Sequence, residues 1–215
     1  MVKFESRILR ILSMLGLPEA QNNLGLLYEE GLGLQKDYSK AVNYYKKAAS
    51  HGLAVSQSNL GRMYEHGLGV DRDINKAIDL YRAAANNGHN WSQTKLGYMY
   101  SKGNGVEKDD VMAVSWYRLA AEQGDSWGQL NLGWFYYVGI GVNKNLSLAR
   151  QLYEKAANQG VSQAQYNLGL MYADGEGIDV DLDNAEKWLK KAYEGGVENA
   201  KAALDLVIRK QGLSS

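Results

Sequence analysis

Apolar and polar residues alternate along this chain with a helical period, and the alternation itself recurs. Leu60, Met63 and Tyr64 stand three and four residues apart, as do Ala77, Leu80, Tyr81 and Ala84, with polar residues between them. That spacing lays the apolar side chains along one face of an α-helix. Gly67-Leu68-Gly69-Val70 separates the two runs and breaks the helix between them. The stretch therefore predicts two short antiparallel helices, A and B. A shift of 36 residues reproduces it, most visibly in the Leu-Gly pairs Leu24-Gly25, Leu60-Gly61, Leu96-Gly97, Leu132-Gly133 and Leu168-Gly169. A constant period of this size marks a repeat array, in which each unit buries its apolar face only against its neighbours. Residues 1–215 then form a single elongated domain, with five repeats over 20–197.

Four sets of five glycines punctuate the array. Gly31, Gly67, Gly103, Gly139 and Gly175 follow helix A, where a left-handed residue ends the helix. Gly33, Gly69, Gly105, Gly141 and Gly177 come two residues later, and Gly52, Gly88, Gly124, Gly160 and Gly196 end helix B. The fourth set, the glycines of the Leu-Gly pairs, lies inside helix A, where glycine costs about 1 kcal/mol relative to alanine. A cost repeated five times implies close approach of helix B. Asp37, Asp73, Asp109, Asn145 and Asp181 precede helix B as N-caps. Gln21, Gln57, Gln93, Gln129 and Gln165 recur early in helix A, and an inter-repeat hydrogen bond is the role expected of them.

The ends depart from the pattern. Ala200, Ala203, Leu204, Val207 and Ile208 form a helical stripe, so 198–210, within a terminal segment 198–215, read as a lone capping A helix with Asp205 in the glycine register. Gly16 falls on the Gly52 register, so 4–15, within 1–19, read as a B helix without its A helix. Its Ile8, Leu9, Ile11, Leu12, Met14 and Leu15 are more apolar than one covered face requires. An end cap, a dimer contact and the truncation of a longer array are the three readings.

Composition narrows the partners. Lys plus Arg equals Asp plus Glu at 24 each, which gives no reason to expect nucleic acid. With no cysteine, disulfides, thiolate metal sites and a cysteine nucleophile are excluded. A cytoplasmic location fits, a periplasmic or secreted one being the alternative if a signal was removed. Lys3, Arg7 and Arg10 interrupt the apolar start, unlike a secretory signal, and no run of about 18 apolar residues exists to span a membrane.

The stretches AQYNLGLMYADGEGI (Ala164 to Ile178) and DYSKAVNYYKKAASHG (Asp37 to Gly52) resemble the Sel-one-like repeat (SLR) family, relatives of the tetratricopeptide repeats. The resemblance covers residues 17–212. It implies an all-α fold, a right-handed α-solenoid of helix-turn-helix repeats with terminal capping helices. It also implies a scaffold or adaptor that contacts a protein or peptide on a concave face lined by A helices. The family's cysteine-rich, disulfide-stapled branch is not what this chain looks like.

Candidate chemistry is sparse. His51, His66 and His89 form no pair at ligand spacing, the Gly-x-Gly loops lack a following Gly-Lys-Ser/Thr, and no nucleophile–base set stands out. No metal, cofactor or enzymatic activity is expected. On helix A, the residues that differ between copies lie on one face. They include Asn22, Leu26 and Glu29 in the first unit and Tyr166, Leu170 and Ala173 in the fifth. In between, the face gathers Arg62, Glu65, Trp91, Lys95, Tyr98, Trp127, Trp134 and Tyr137. Aromatic and arginine anchors are what protein-binding hot spots are made of, so these eight are the candidate partner-binding residues. Trp116 and Trp188 match Tyr44 and Leu80 on helix B and are expected in the core. The leading expectation is a protein-binding scaffold. The alternatives are an immunity protein neutralising a bacterial toxin, a role some repeat proteins of this kind have, and a carbohydrate or cell-wall binder using the aromatic platform.

Overall fold

A computed structural model describes the backbone of residues 2–214 and the side chains of 8–212. Met1, Ser215 and the side chains of Lys3 and Arg7 lie outside the described residues. The described residues form α-helices and no strand. They fall into two compact units, Met1–Met99 with Asn104–Glu107, and Tyr100–Gly103 with Lys108–Ser215.

The first unit holds α1 (Val2–Met14), α2 (Pro18–Glu30), α3 (Tyr38–Ser50), α4 (Ala54–His66), α5 (Ile74–Asn86) and α6 (Asn90–Lys102) as far as Met99. Sequence-adjacent helices pack on one another, α1 on α2, α2 on α3, and so along the chain to α5. Ala41, Val42 and Tyr45 of α3 bury themselves with Leu60 and Met63 of α4. The second unit holds α7 (Asp110–Glu122), α8 (Ser126–Val138), α9 (Leu146–Asn158), α10 (Ser162–Asp174), α11 (Leu182–Glu194) and α12 (Asn199–Ser214). Its core runs from Tyr117 and Phe135 to Leu168, Met171, Trp188, Leu189 and Val207.

The capping residues act as the sequence predicts. Side-chain oxygens of Asp37, Asp73, Asp109, Asn145 and Asp181 accept from the backbone N–H three residues on, at 2.9–3.0 Å. The backbone N–H of each of these five donates to a tyrosine carbonyl at the end of the preceding A helix, Asp73 to Tyr64 at 3.0 Å for example, which closes the A–B loop. Gly67, at φ 68°, ends α4 in the left-handed conformation.

The glycine inside helix A marks close approach. A Cβ on Gly61 would lie 2.8 Å from Cε1 of Tyr81 and 3.2 Å from the Ala77 carbonyl oxygen, so the B-helix tyrosine lies directly against the A-helix backbone. The glutamines link repeats. Nε2 of Gln93 donates to the Ala85 carbonyl and that of Gln165 to Ala157, each at 3.1 Å, so an A helix is tied to the end of the preceding B helix. Asn87 Nδ2 donates to Gln57 Oε1 at 3.3 Å.

At the ends, α1 packs on α2 and leaves Ile11, Met14 and Leu15 exposed. The last helix extends beyond the expected 198–210 and runs to Ser214, packed on α11 and α10. Asp205, in the glycine register, is exposed.

Candidate functional site

The A helices present two kinds of side chain at the positions that differ between copies, and packing separates them. In the first unit, Glu29 and Glu65 share a register, the last but one residue of helix A, and both are buried. Tyr45, 16 residues after Glu29, donates its hydroxyl to Glu29 Oε2 at 2.7 Å, and Arg62 of the next A helix grips both carboxylate oxygens, at 2.6 and 2.9 Å. Tyr81 donates to Glu65 Oε2 at 2.7 Å, and the Lys95 ammonium lies 2.7 Å from Glu65 Oε1. Lys95 Nζ also stands 5.9 Å from the centroid of the Tyr81 ring. Each buried carboxylate thus meets a phenol from its own B helix and a cation from the following repeat. Burial pushes the Glu65 carboxyl up, but hydrogen bonds from Lys95 and Tyr81 outweigh it and hold it below the usual carboxylate range. Burial, then the glutamate partner, raises the Tyr45 and Tyr81 phenols far above their ordinary value.

Three of the sequence-selected residues, Arg62, Glu65 and Lys95, are therefore brought together inside this repeat-to-repeat network. The aromatics are not. Trp91 is 43% exposed and sets its ring edgewise to Tyr81 at 5.7 Å, and Tyr98 is 46% exposed. Trp91 thus packs against Tyr81 of the Glu65–Tyr81–Lys95 set and, at 6.5 Å, against His89 of the inter-repeat turn.

In the second unit, Trp127 and Trp134 are 57% and 44% exposed, Trp134 standing edge-on to Phe135 at 5.0 Å. Tyr137 occupies the register of Glu29 and Glu65. Its hydroxyl reaches out to Glu176 Oε2 at 2.6 Å, and that hydrogen bond, with burial adding to it, pushes the phenol up to about 12. Beside it opens a pocket of about 200 Å³. Tyr153 and Met171, both buried, form its floor. Trp134, Tyr137 and Leu170 form its walls, and Asn167 and Glu176 are its polar side chains. Burial raises the Tyr153 phenol, while a hydrogen bond from Asn167 pulls the other way.

The core tryptophans follow the sequence reading in part. Trp188 is buried, whereas Trp116 is half-buried. Among the described residues, no three His, Cys, Asp or Glu side chains come together as a metal site, and no helix is long and apolar enough to cross a membrane. Sequence reasoning missed Tyr45, Tyr81, Asn167 and Glu176. A signal existed for the tyrosines: a glutamate late in helix A followed 16 residues later by tyrosine, twice. None marked Glu176, a loop residue between Gly175 and Gly177.

Helix-turn-helix units of constant length, tied end to end by the same caps and glutamine bonds, define a helical solenoid repeat protein. The Sel1 repeat profile matches residues 18–53, 54–89, 92–125, 128–161 and 162–197, and the chain belongs to the Sel1 repeat family. Proteins of this family generally mediate protein–protein interaction and are generally non-enzymatic scaffolds. A crystallised Sel1 repeat protein from Oxalobacter formigenes is 43% identical, with 86% of this chain and 76% of that chain covered and a TM-score of 0.81. A protective antigen of uropathogenic Escherichia coli with an SLR fold is 33% identical, with 95% of this chain covered and a TM-score of 0.69. The match covers 52% of that antigen, so the chain spans about half its length. An immunity protein from Pseudomonas aeruginosa is 20% identical, covering 95% of this chain and 73% of that chain with a TM-score of 0.54, a likeness of fold alone. A comparison with curated proteins gives no match.

Proposed function

We propose that this chain is an interaction scaffold that takes a protein or peptide partner on its A-helix faces, through Trp91 and Tyr98 on the first unit and Trp127 and Trp134 on the second. The observation that carries this reading is the exposure of four large aromatic side chains on helices whose other faces are buried, through Leu96 and Met99 on α6 and Leu132 and Phe135 on α8. Large aromatics left in water by an otherwise well-packed fold are the side chains that anchor partners. Tyr137, beside Trp134, belongs to the same surface. Arg62, Glu65 and Lys95 shape it from beneath, because their charges are neutralised within the fold and leave the aromatics as the principal anchors.

The test is affinity capture from a lysate of the source organism with mass spectrometry, comparing the wild type with the Trp134→Ala, Tyr98→Ala double variant. The reading requires capture by the wild type and at least a tenfold loss in the double variant, with far-UV circular dichroism and melting temperature nearly unchanged. A double variant that captures the same partner equally well overturns it.

A further inference from the structure

The pocket on the second unit is built where the first unit seats its own lysine. In the first unit, Lys95 Nζ lies between the Glu65 carboxylate at 2.7 Å and the Tyr81 ring at 5.9 Å. Two periods on from Lys95 stands Asn167, and two periods on from Glu65 stands Tyr137. Tyr153 keeps the place of Tyr81. The slot has thus lost its cation to a shorter, neutral side chain, which leaves room, while Tyr137 passes the acidic position outward to Glu176 through its 2.6 Å hydrogen bond. Trp134 adds a second aromatic wall. Glu176 carries the only formal charge among the lining residues, and Tyr137 engages one of its two oxygens. Outside the lining, the Lys144 ammonium stands 5.7 Å from the Tyr137 ring centroid, and Asp174 faces Lys210 at 3.9 Å. Two hundred cubic ångströms hold about seven waters and fall below the range of drug-sized ligand pockets, about 300–1,000 Å³. The pocket fits one side chain.

We infer that this pocket receives a single basic side chain, a lysine or arginine, of the protein or peptide partner. The guest takes the place that Lys95 fills in the first unit. Its charged end pairs with Glu176 and its stem lies against Trp134 and Tyr137, a cation held by a carboxylate and aromatic faces. The inference rests on the proposed protein-binding role and names the chemistry that the partner must carry.

The probe is a set of blocked pentapeptides with glycine flanks and a central lysine, norleucine or glutamate, titrated into the whole chain. The readout is the Trp134 indole N–H resonance, assigned with Trp134→Phe. The lysine peptide is expected to move that resonance and to bind about three- to tenfold more tightly than the norleucine peptide, the combined effect of a partly exposed ion pair and a cation–π contact. In Glu176→Gln, which keeps an acceptor for Tyr137, the lysine-over-norleucine ratio is expected to fall towards one. Equal binding of norleucine, tighter binding of glutamate, or an unchanged ratio in Glu176→Gln overturns the inference. Capture of a lysate partner by the same Glu176→Gln protein separates the two readings. If the lysine preference is absent but capture persists and depends on Trp134, the pocket chemistry falls and the scaffold role stands. If the lysine preference is present but no partner depends on the aromatics, the reverse holds.

Discussion

Replacing Glu65 with alanine separates a residue of the frame from a residue of the recognition surface. Glu65 is 8% exposed and Tyr81 is fully buried. The substitution leaves the Tyr81 hydroxyl, 2.7 Å from the carboxylate in the native protein, with no acceptor there. Losing a hydrogen bond to a charged group removes about 1.5–3 kcal/mol. Lys95 keeps 20% of its side chain exposed and can turn towards water, so the lost ion pair adds only about 1 kcal/mol. The sum is about 3 kcal/mol. With a denaturant dependence of about 3 kcal/mol per molar urea, the unfolding midpoint falls by about 1 M. Glu65→Gln keeps an uncharged acceptor for Tyr81 and is expected to lower it by about a third as much. A cycle with Tyr81→Phe isolates the pair, with a coupling of about 1–2 kcal/mol expected for residues in direct contact. The assay is urea unfolding followed by circular dichroism at 222 nm. A midpoint shift under about 0.3 M, together with loss of partner capture, would overturn the structural role of Glu65 and make it a contact residue.

Gly61→Ala should destabilise the protein by about 1 kcal/mol, because overpacking against Tyr81 and the Ala77 carbonyl, about 2 kcal/mol, exceeds the helix-propensity gain of about 1 kcal/mol; an increase in melting temperature would show that α4 and α5 can part at no cost. Asp73→Ala should lose about 1 kcal/mol by removing the N-cap of α5, read in the same urea titration. The pH dependence has two arms. Glu65 has a folded pKa below its ordinary 4.5, so its contribution is present above that value and is lost as the pH falls through and below it. Tyr45 and Tyr81 have folded pKa values above their ordinary 10, so their contribution is present below pH 10 and is lost as the pH rises beyond it. Melting temperature against pH should therefore fall on both sides, and Tyr81→Phe should flatten the alkaline arm.

The fold was legible because the repeat tests every reading five times. The N-cap aspartates, the left-handed glycines and the glycine beneath the B-helix tyrosine all follow from local physical chemistry that acts within one repeat or between neighbours. The site was legible only by half. Comparing copies finds positions released from the shared frame, and it found Trp91, Tyr98, Trp127 and Trp134, which are exposed. It equally selected Arg62, Glu65 and Lys95, because a buried ion pair is as free to vary between copies as a binding residue is. Glu29 pairs with Arg62 and Glu65 with Lys95, so the acid keeps its register in the first two repeats while its cation comes from two different registers. Positions taken one at a time do not reveal that pairing, since the partners lie 33 and 30 residues apart and on different helices.

The same network explains why the two units differ in what they can offer a partner. A carboxylate sealed with a phenol and a cation has its charge met within the fold, which leaves Trp91 and Tyr98 as the large exposed aromatics of the first unit's candidate face. In the second unit the register reads tyrosine where the first has glutamate, and asparagine where it has lysine. Neutral residues there require no compensating charge. The loop acid Glu176 is engaged by a neutral hydroxyl rather than by a cation. A phenol hydroxyl donates a hydrogen bond but brings no positive charge, so Glu176 stands as the one formally charged residue lining an aromatic pocket. Tyrosine for glutamate at 137, asparagine for lysine at 167, tryptophan for arginine at 134 and the loop acid Glu176 together replace an internal tie between repeats by an open pocket, while the helices that carry it keep the same length of 13 residues.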